Sequence, residues 1–113
     1  EALHVNTSYL TATANDFGFD HIYSRLVEAK GKKGDILVAL STSGNSANVV
    51  NAVKQARSQG LITIGFTGKN ESKLDEYCDV LIKIPSTDTP RIQEMHILLG
   101  HIICEIVEQE LFG

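Results

Sequence analysis

Basic charge is scarce in this chain. Ten lysines and arginines stand against fourteen aspartates and glutamates, a formal charge of -4 over 113 residues, and no basic run is long enough to follow a phosphate backbone. Nucleic acid is therefore not an expected direct partner. Long hydrophobic runs are missing too. The longest charge-free apolar stretch near the C-terminus, Met95 to Cys104, contains two histidines and falls short of the roughly 20 residues that cross a bilayer. No membrane span is expected. The two cysteines, Cys78 and Cys104, lack CxxC spacing and sit in apolar surroundings, so the expectation is buried thiols in a reducing, cytoplasmic compartment. Glu1-Ala2-Leu3 opens neither the charged nor the apolar region of a signal peptide, and an initiator Met is absent. That start suggests a fragment or a processed chain.

What is present is the make-up of one globular domain over residues 1–113, with 42% hydrophobic and 21% charged residues and no internal repeat or low-complexity linker. Leu3 to Leu10 reads as a strand end running into a loop at Thr11 to Ala14. From Asp16, a candidate N-cap, the residues Phe19, Ile22, Tyr23, Leu26 and Val27 recur at helical spacing until Gly31. Ile36 to Leu40 is a continuous apolar run of the kind buried on both faces of a sheet. After a polar loop, Ala47, Val49, Val50, Val53 and Ala56 form a helical stripe closed by Gly60. The pattern repeats: strand Leu61 to Phe66, turn Thr67 to Asn70, short helix Ser72 to Tyr77, strand Val80 to Ile84. Thr89-Pro90 then starts a helix that runs to about Leu111, with Thr as N-cap and Pro in the first turn. Strands alternating with helices predict an α/β domain of three layers, α/β/α, around a parallel sheet. Ligands of such sheets bind beyond the carboxyl ends of the strands, which singles out the loops Ser41 to Ser46, Thr67 to Asn70 and Ser86 to Thr89.

The first of these, Ser41-Thr42-Ser43-Gly44-Asn45-Ser46, puts four hydroxyls in six residues between a strand and a helix start, where free N–H groups and the helix dipole favour an anion. It has no lysine of a nucleotide P-loop and no GxGxxG spacing, so a small phosphomonoester fits it better than a triphosphate. The residues also admit a plainer reading, in which Ser46 caps the helix and the other hydroxyls satisfy turn backbone.

Gly34 to Ser46, together with Ala14-Asn15-Asp16-Phe17-Gly18-Phe19, Thr67-Gly68-Lys69 and Arg91-Ile92-Gln93-Glu94-Met95-His96-Ile97, resembles the signature of sugar isomerase (SIS) domains, and within them the phosphoheptose isomerases. The resemblance implies conversion of sedoheptulose 7-phosphate to D-glycero-D-manno-heptose 7-phosphate, a step towards the heptose of bacterial lipopolysaccharide or capsule. It implies a homotetramer with sites at subunit interfaces. On that pattern Ser41, Thr42, Ser43 and Ser46 hold the phosphate, Asn15 and Asp16 contact the sugar, and Gln93 and His101 are zinc ligands in members that bind the metal. Gln93 also touches substrate there, and His101 doubles as the acid/base. The family's other half-site, a glycine-rich loop and a helix carrying a histidine and a glutamate, lies upstream of this sequence, so the chain by itself is expected not to turn over substrate. One departure is local: some members carry an aspartate directly before the arginine where this chain has Pro90, with Asp88 two residues earlier.

Geometry bears on these roles. Between Pro90 and Leu111 apolar residues cover more than one stripe, which predicts a helix packed on two sides, one of them against another subunit. His96 and His101 are five residues apart, about 140° around a helix, so they are no i, i+4 metal pair. Gln93 and His101 are eight apart, about 80° and about 12 Å along a straight helix. They share one ion only if the helix start is distorted, the side chains lean together, or two subunits contribute. His96 reads as a packing or interface residue, and His101 taken alone reads as a core histidine satisfied by Glu105. SIS domains also serve as non-catalytic sensors of sugar phosphates, and one relative binds the replication initiator. That relative departs from the serine loop and the helix histidine, so Ser43 and His101 favour the enzyme.

Overall fold

The computed structural model describes all residues, 1–113. Helix α1 (Thr7–Phe17) comes first, where a strand end, a loop and a cap at Asp16 were expected. Asn6 explains it: its Oδ1 accepts the Tyr9 N–H at 3.1 Å, a side-chain cap that starts a helix in a segment whose apolar spacing is uninformative. Asp16 lies in the last turn of α1, and Gly18, at φ +92°, ends the helix by donating its N–H to the Ala14 carbonyl. The expected long helix is therefore divided: a short 3-10 turn at Phe19–His21 leads into α2 (Ile22–Lys30), stopped at Gly31 as the sequence indicates.

The strands follow the reading closely. Strands β1 (Ile36–Leu40), β2 (Ile62–Thr67) and β3 (Val80–Lys83) form a parallel sheet in the order β1-β2-β3, with Ile36 opposite Ile62 and Ile64 opposite Val80. They are joined through α3 (Ala47–Ser58) and the one-turn α4 (Leu74–Tyr77). Gly60, at φ +80°, terminates α3 in the left-handed conformation that suits glycine. The last helix, α5, is continuous from Thr89 to Phe112, with Pro90 in its first turn; the N-cap is Asp88 rather than the expected Thr89, which is already the first helical residue, and neither side chain bonds a helix N–H.

Alternate strand residues point to opposite faces, and here the two faces differ. One is sealed: Ala39, Val50, Val53 and Leu74 form a buried cluster with Leu37, Cys78 and Leu81, continued by Val27, Ala52, Ala56 and Leu61 between α2 and α3. Gly65 is part of that seal, since a Cβ there would sit 2.6 Å from Cys78 Sγ and 2.8 Å from Leu81 Cδ1. The other face carries Ile36, Val38, Leu40, Ile62 and Val80, all exposed, and α5 meets it only at Phe66, through His96. The expectation that β1 is buried on both sides is thus corrected, because the helices of this chain cover one face and α5 only begins the third layer. The cysteines need correction as well. Cys78 is half-buried, its thiol pushed up mainly by burial and then by the Asp79 charge, whereas Cys104 is exposed on α5. No helix is long and apolar enough to cross a membrane.

Candidate functional site

The loop after β1 folds on its own hydroxyls. Ser41, buried at the strand end, accepts the Gly44 N–H on its Oγ at 3.1 Å and lies 3.2 Å from Ser46 Oγ and 3.5 Å from Ser43 Oγ. Ser43 Oγ accepts the Asn45 N–H at 3.1 Å. Ser46 occupies the N-cap position of α3 without bonding a helix N–H through its side chain. The plainer reading of the loop therefore holds in part. Ser41 and Ser43 satisfy turn backbone, but the simple cap at Ser46 is not formed, and the first turn of α3 keeps the unpaired N–H groups that every helix start has.

Gly44 sets the shape of this loop. Its φ is +68°, and a Cβ would overlap Ser72 Oγ. Beneath it, Ser72 donates to Asp75 Oδ1 at 2.8 Å, and Lys83 Nζ donates to Asp75 Oδ2 at 2.7 Å. The Lys83 hydrogen bond holds the Asp75 carboxyl below its ordinary range, with Ser72 adding to it. Asn45 closes the other side, its Oδ1 accepting the Lys73 N–H at 2.9 Å.

The segment after β2 binds the three loops into one wall. Gly68 donates its N–H to the Thr42 carbonyl at 3.0 Å, and Lys69 donates its N–H to the Ser86 carbonyl at 3.1 Å. A Cβ on Gly68 would come within 2.7 Å of Ile92 Cδ1 and 2.9 Å of the Thr42 oxygen, so only glycine admits this closeness. Around the junction lies a cavity of about 310 Å³, at the lower end of small-ligand pockets. Thr42, Ser43 and Asn45 line it from the first loop, Gly68 to Glu71 from the second, and Ser86, Thr87, Thr89 and Ile92 from the third and the start of α5. Its lining is almost wholly polar. Lys69 is the one cation and Glu71 the one anion among those residues. Such a cavity can offer several hydrogen bonds to a small polar ligand.

The expected site residues divide accordingly. Thr42 and Ser43 line the cavity; Ser41 and Ser46 stand behind them as the loop's frame. Asn15 and Asp16 are joined to each other at the end of α1, Asn15 Nδ2 donating to Asp16 Oδ1 at 3.0 Å, and do not line the cavity. Gln93 and His101 are exposed on α5 and do not line it either. His101 has no hydrogen bond within the chain, which corrects the core-histidine reading that paired it with Glu105, whereas His96 is buried as expected. Lys69, Asn70, Glu71, Ser86, Thr87 and Thr89 were not picked individually from the sequence. Their position beyond the carboxyl ends of β2 and β3 was the signal that pointed to them.

Gln93 and His101 do not make a zinc site by themselves. The start of α5 is an unbroken helix, which removes helix distortion as a way to bring the two together, and no group of three His, Cys, Asp or Glu side chains gathers anywhere in the chain, where a structural or catalytic zinc takes three or four protein ligands.

Comparison with known proteins identifies the class. The family model of the SIS domain matches residues 1–68, more than half of the chain; the chain belongs to the SIS domain family. Within it, the chain is similar to phosphoheptose isomerases. It is 58% identical over 110 residues to that of Rhodospirillum rubrum, covering 97% of this chain and 58% of the relative, and 54% identical over 112 residues to that of Clostridium acetobutylicum, covering 99% and 57%. Among solved structures, the phosphoheptose isomerase of Neisseria gonorrhoeae superposes with a TM-score of 0.92 at 48% identity, over 95% of this chain and 61% of that one. The Francisella tularensis enzyme gives 0.93 at 34% identity, over 96% and 58%. The chain thus spans somewhat under three fifths of the curated relatives' length.

Proposed function

We propose that the protein is an aldose-ketose isomerase that converts sedoheptulose 7-phosphate to D-glycero-D-manno-heptose 7-phosphate in heptose biosynthesis for lipopolysaccharide or capsule, working in the cytoplasm as a homotetramer. The observation that carries the reading is the polar cavity where the three strand-end loops meet, framed by Ser41 and Ser46 and lined by Thr42 and Ser43. Its hydroxyls and the N–H groups at the start of α3 suit the phosphate, and Lys69 offsets its charge. The similarity to phosphoheptose isomerases supplies the substrate.

The reaction moves a carbonyl between adjacent carbons. A base takes a proton from C1 of the ketose, and the electrons of that bond form the C1–C2 double bond of a cis-enediolate while the C2 carbonyl oxygen takes up the charge; the hydroxyl proton of O1 passes to O2, and the carbon proton returns to C2 as the C1 aldehyde forms. His101 is our candidate for the base, since an imidazole nitrogen can both accept and return a proton. Gln93, on the same helix, is assigned to the sugar, as are Asn15 and Asp16. The developing oxyanion needs an electropositive partner. Zinc would supply it in a metal-binding member, with Gln93 and His101 as two ligands and the others from outside this chain.

A second reading has its own observation. Gln93 and His101 lie outside the cavity within one chain, so the cavity taken alone also suits a sugar-phosphate-binding regulator or adaptor. Turnover decides between them: NMR of the full-length protein with sedoheptulose 7-phosphate, with and without a chelator, should show aldose product. Phosphosugar binding without product would establish the regulator.

A further inference from the structure

We infer that His96 is a positioning residue that sets α5 against the phosphate-binding loops, and through α5 the placement of Gln93 and His101. The inference rests on the isomerase reading and deepens it. Of the 24 residues of α5, only Ile92 and His96 are buried. Two anchors one turn apart determine both the rotation of a helix about its axis and the direction in which it leaves the sheet. Ile92 is the apolar anchor, its Cδ1 lying against Gly68.

His96 is the polar anchor, 4% exposed, with Nε2 3.0 Å from the Thr67 carbonyl oxygen. A carbonyl only accepts, so Nε2 carries the proton and donates. The ring also leans on Phe66, with centroids 5.7 Å apart at 47°. The same Thr67 oxygen accepts the Ile84 N–H at 3.0 Å, using its second lone pair. The next two amides, Gly68 and Lys69, bond to Thr42 and Ser86 in the two other loops. His96 therefore grips the Thr67–Gly68 peptide, whose N–H ties the second loop to the first and which directly precedes the Lys69 N–H that ties it to the third. Gln93 stands three residues before it and His101 five after, so a shift at His96 moves both.

Asparagine and glutamine separate this role from mere packing. In the full-length protein, the amide nitrogen of His96→Gln reaches the place of Nε2 and keeps the donor, while that of His96→Asn falls short and loses it. With His96→Asn, amide exchange at Gly68 and Lys69 should accelerate by about tenfold or more as a buried hydrogen bond is lost. kcat should fall by about tenfold to a hundredfold, as for a small misplacement of catalytic groups. The Kd for inorganic phosphate should rise by much less than kcat falls, because Ser41 and Ser43 keep the bonds within their own loop while only the Gly68–Lys69 side is loosened. His96→Gln should recover both exchange and kcat. Equal exchange in the two variants overturns the inference, and so does a loss of phosphate affinity that matches the loss of kcat. Absence of turnover in the unmodified protein would refute the isomerase reading instead, and the exchange comparison would still judge whether His96 holds the loops.

Discussion

The strand-end loops and the distal half of α5 are opposites. The loops are polar yet tied within the chain: Ser41, Ser43, Gly44, Gly68 and Lys69 all find partners inside it, and together the three loops line one cavity. Beyond His96 no residue of α5 is buried, although Ile97, Leu98, Ile102, Ile103, Ile106, Val107, Leu111 and Phe112 are all exposed there. Covering each such side chain is worth up to about 1.5 to 3 kcal/mol, so this helix offers a large apolar surface to whatever packs on it, the remainder of the protein or another subunit. On the proposed reading, phosphate recognition is local, whereas the chemistry assigned to Gln93 and His101 depends on what packs around α5.

Breaking the α5 side should have the largest effect. Ile102→Asp combined with Ile106→Asp should convert the proposed tetramer to smaller species and abolish turnover, read by light scattering and by the NMR assay; an unchanged assembly would show that α5 is not the interface. His101→Ala, which leaves the apolar surface alone, should cost about a hundredfold to ten-thousandfold in kcat as an acid/base is removed, with phosphosugar affinity nearly unchanged in calorimetry. Equal loss of both would mean that the helix or its assembly had come apart.

On the loop side the effects are smaller and fall on binding. Ser43→Ala should weaken sugar-phosphate binding by about 1 to 3 kcal/mol, the range for a hydrogen bond to a charged group, and an unaltered dissociation constant would remove Ser43 from the phosphate site.

The smallest effect touches neither region. Thr63 donates its backbone N–H at 2.8 Å and its hydroxyl at 3.0 Å to Asp79 Oδ2, and these bonds, the backbone one foremost, hold that carboxyl below its ordinary range. A depressed folded value means that the stabilisation is fully present above the unfolded value of about 3.9 and fades as pH falls through the folded one. Asp79→Asn should therefore unfold more easily than the parent near neutrality, and the gap should narrow in acid denaturation curves. A gap that widens in acid would reverse the sign argued here.

The parts of this structure that follow local rules were legible in the sequence. The apolar runs of β1 and β2, the glycine stop at Gly60 and the Thr89-Pro90 helix start announced themselves, and strand-end logic located all three cavity loops. Two features were not legible. Helix α1 is set by a single Asn6 side-chain cap rather than by any apolar stripe, and the exposure of Ile36, Val38 and Leu40 depends on which layers surround the sheet, which no run of five apolar residues records. Individual cavity residues such as Lys69 and Ser86 stayed hidden because their adjacency arises from a backbone bond between loops that are far apart in the chain.

The most direct test of the local phosphate site is an amide NMR titration of the full-length protein with sedoheptulose 7-phosphate and, separately, with sedoheptulose. The account predicts that only the phosphorylated sugar shifts the resonances of Thr42 to Ala47 together with those of Gly68 and Lys69. Equal shifts with both sugars, or shifts confined to residues outside these loops, would contradict it.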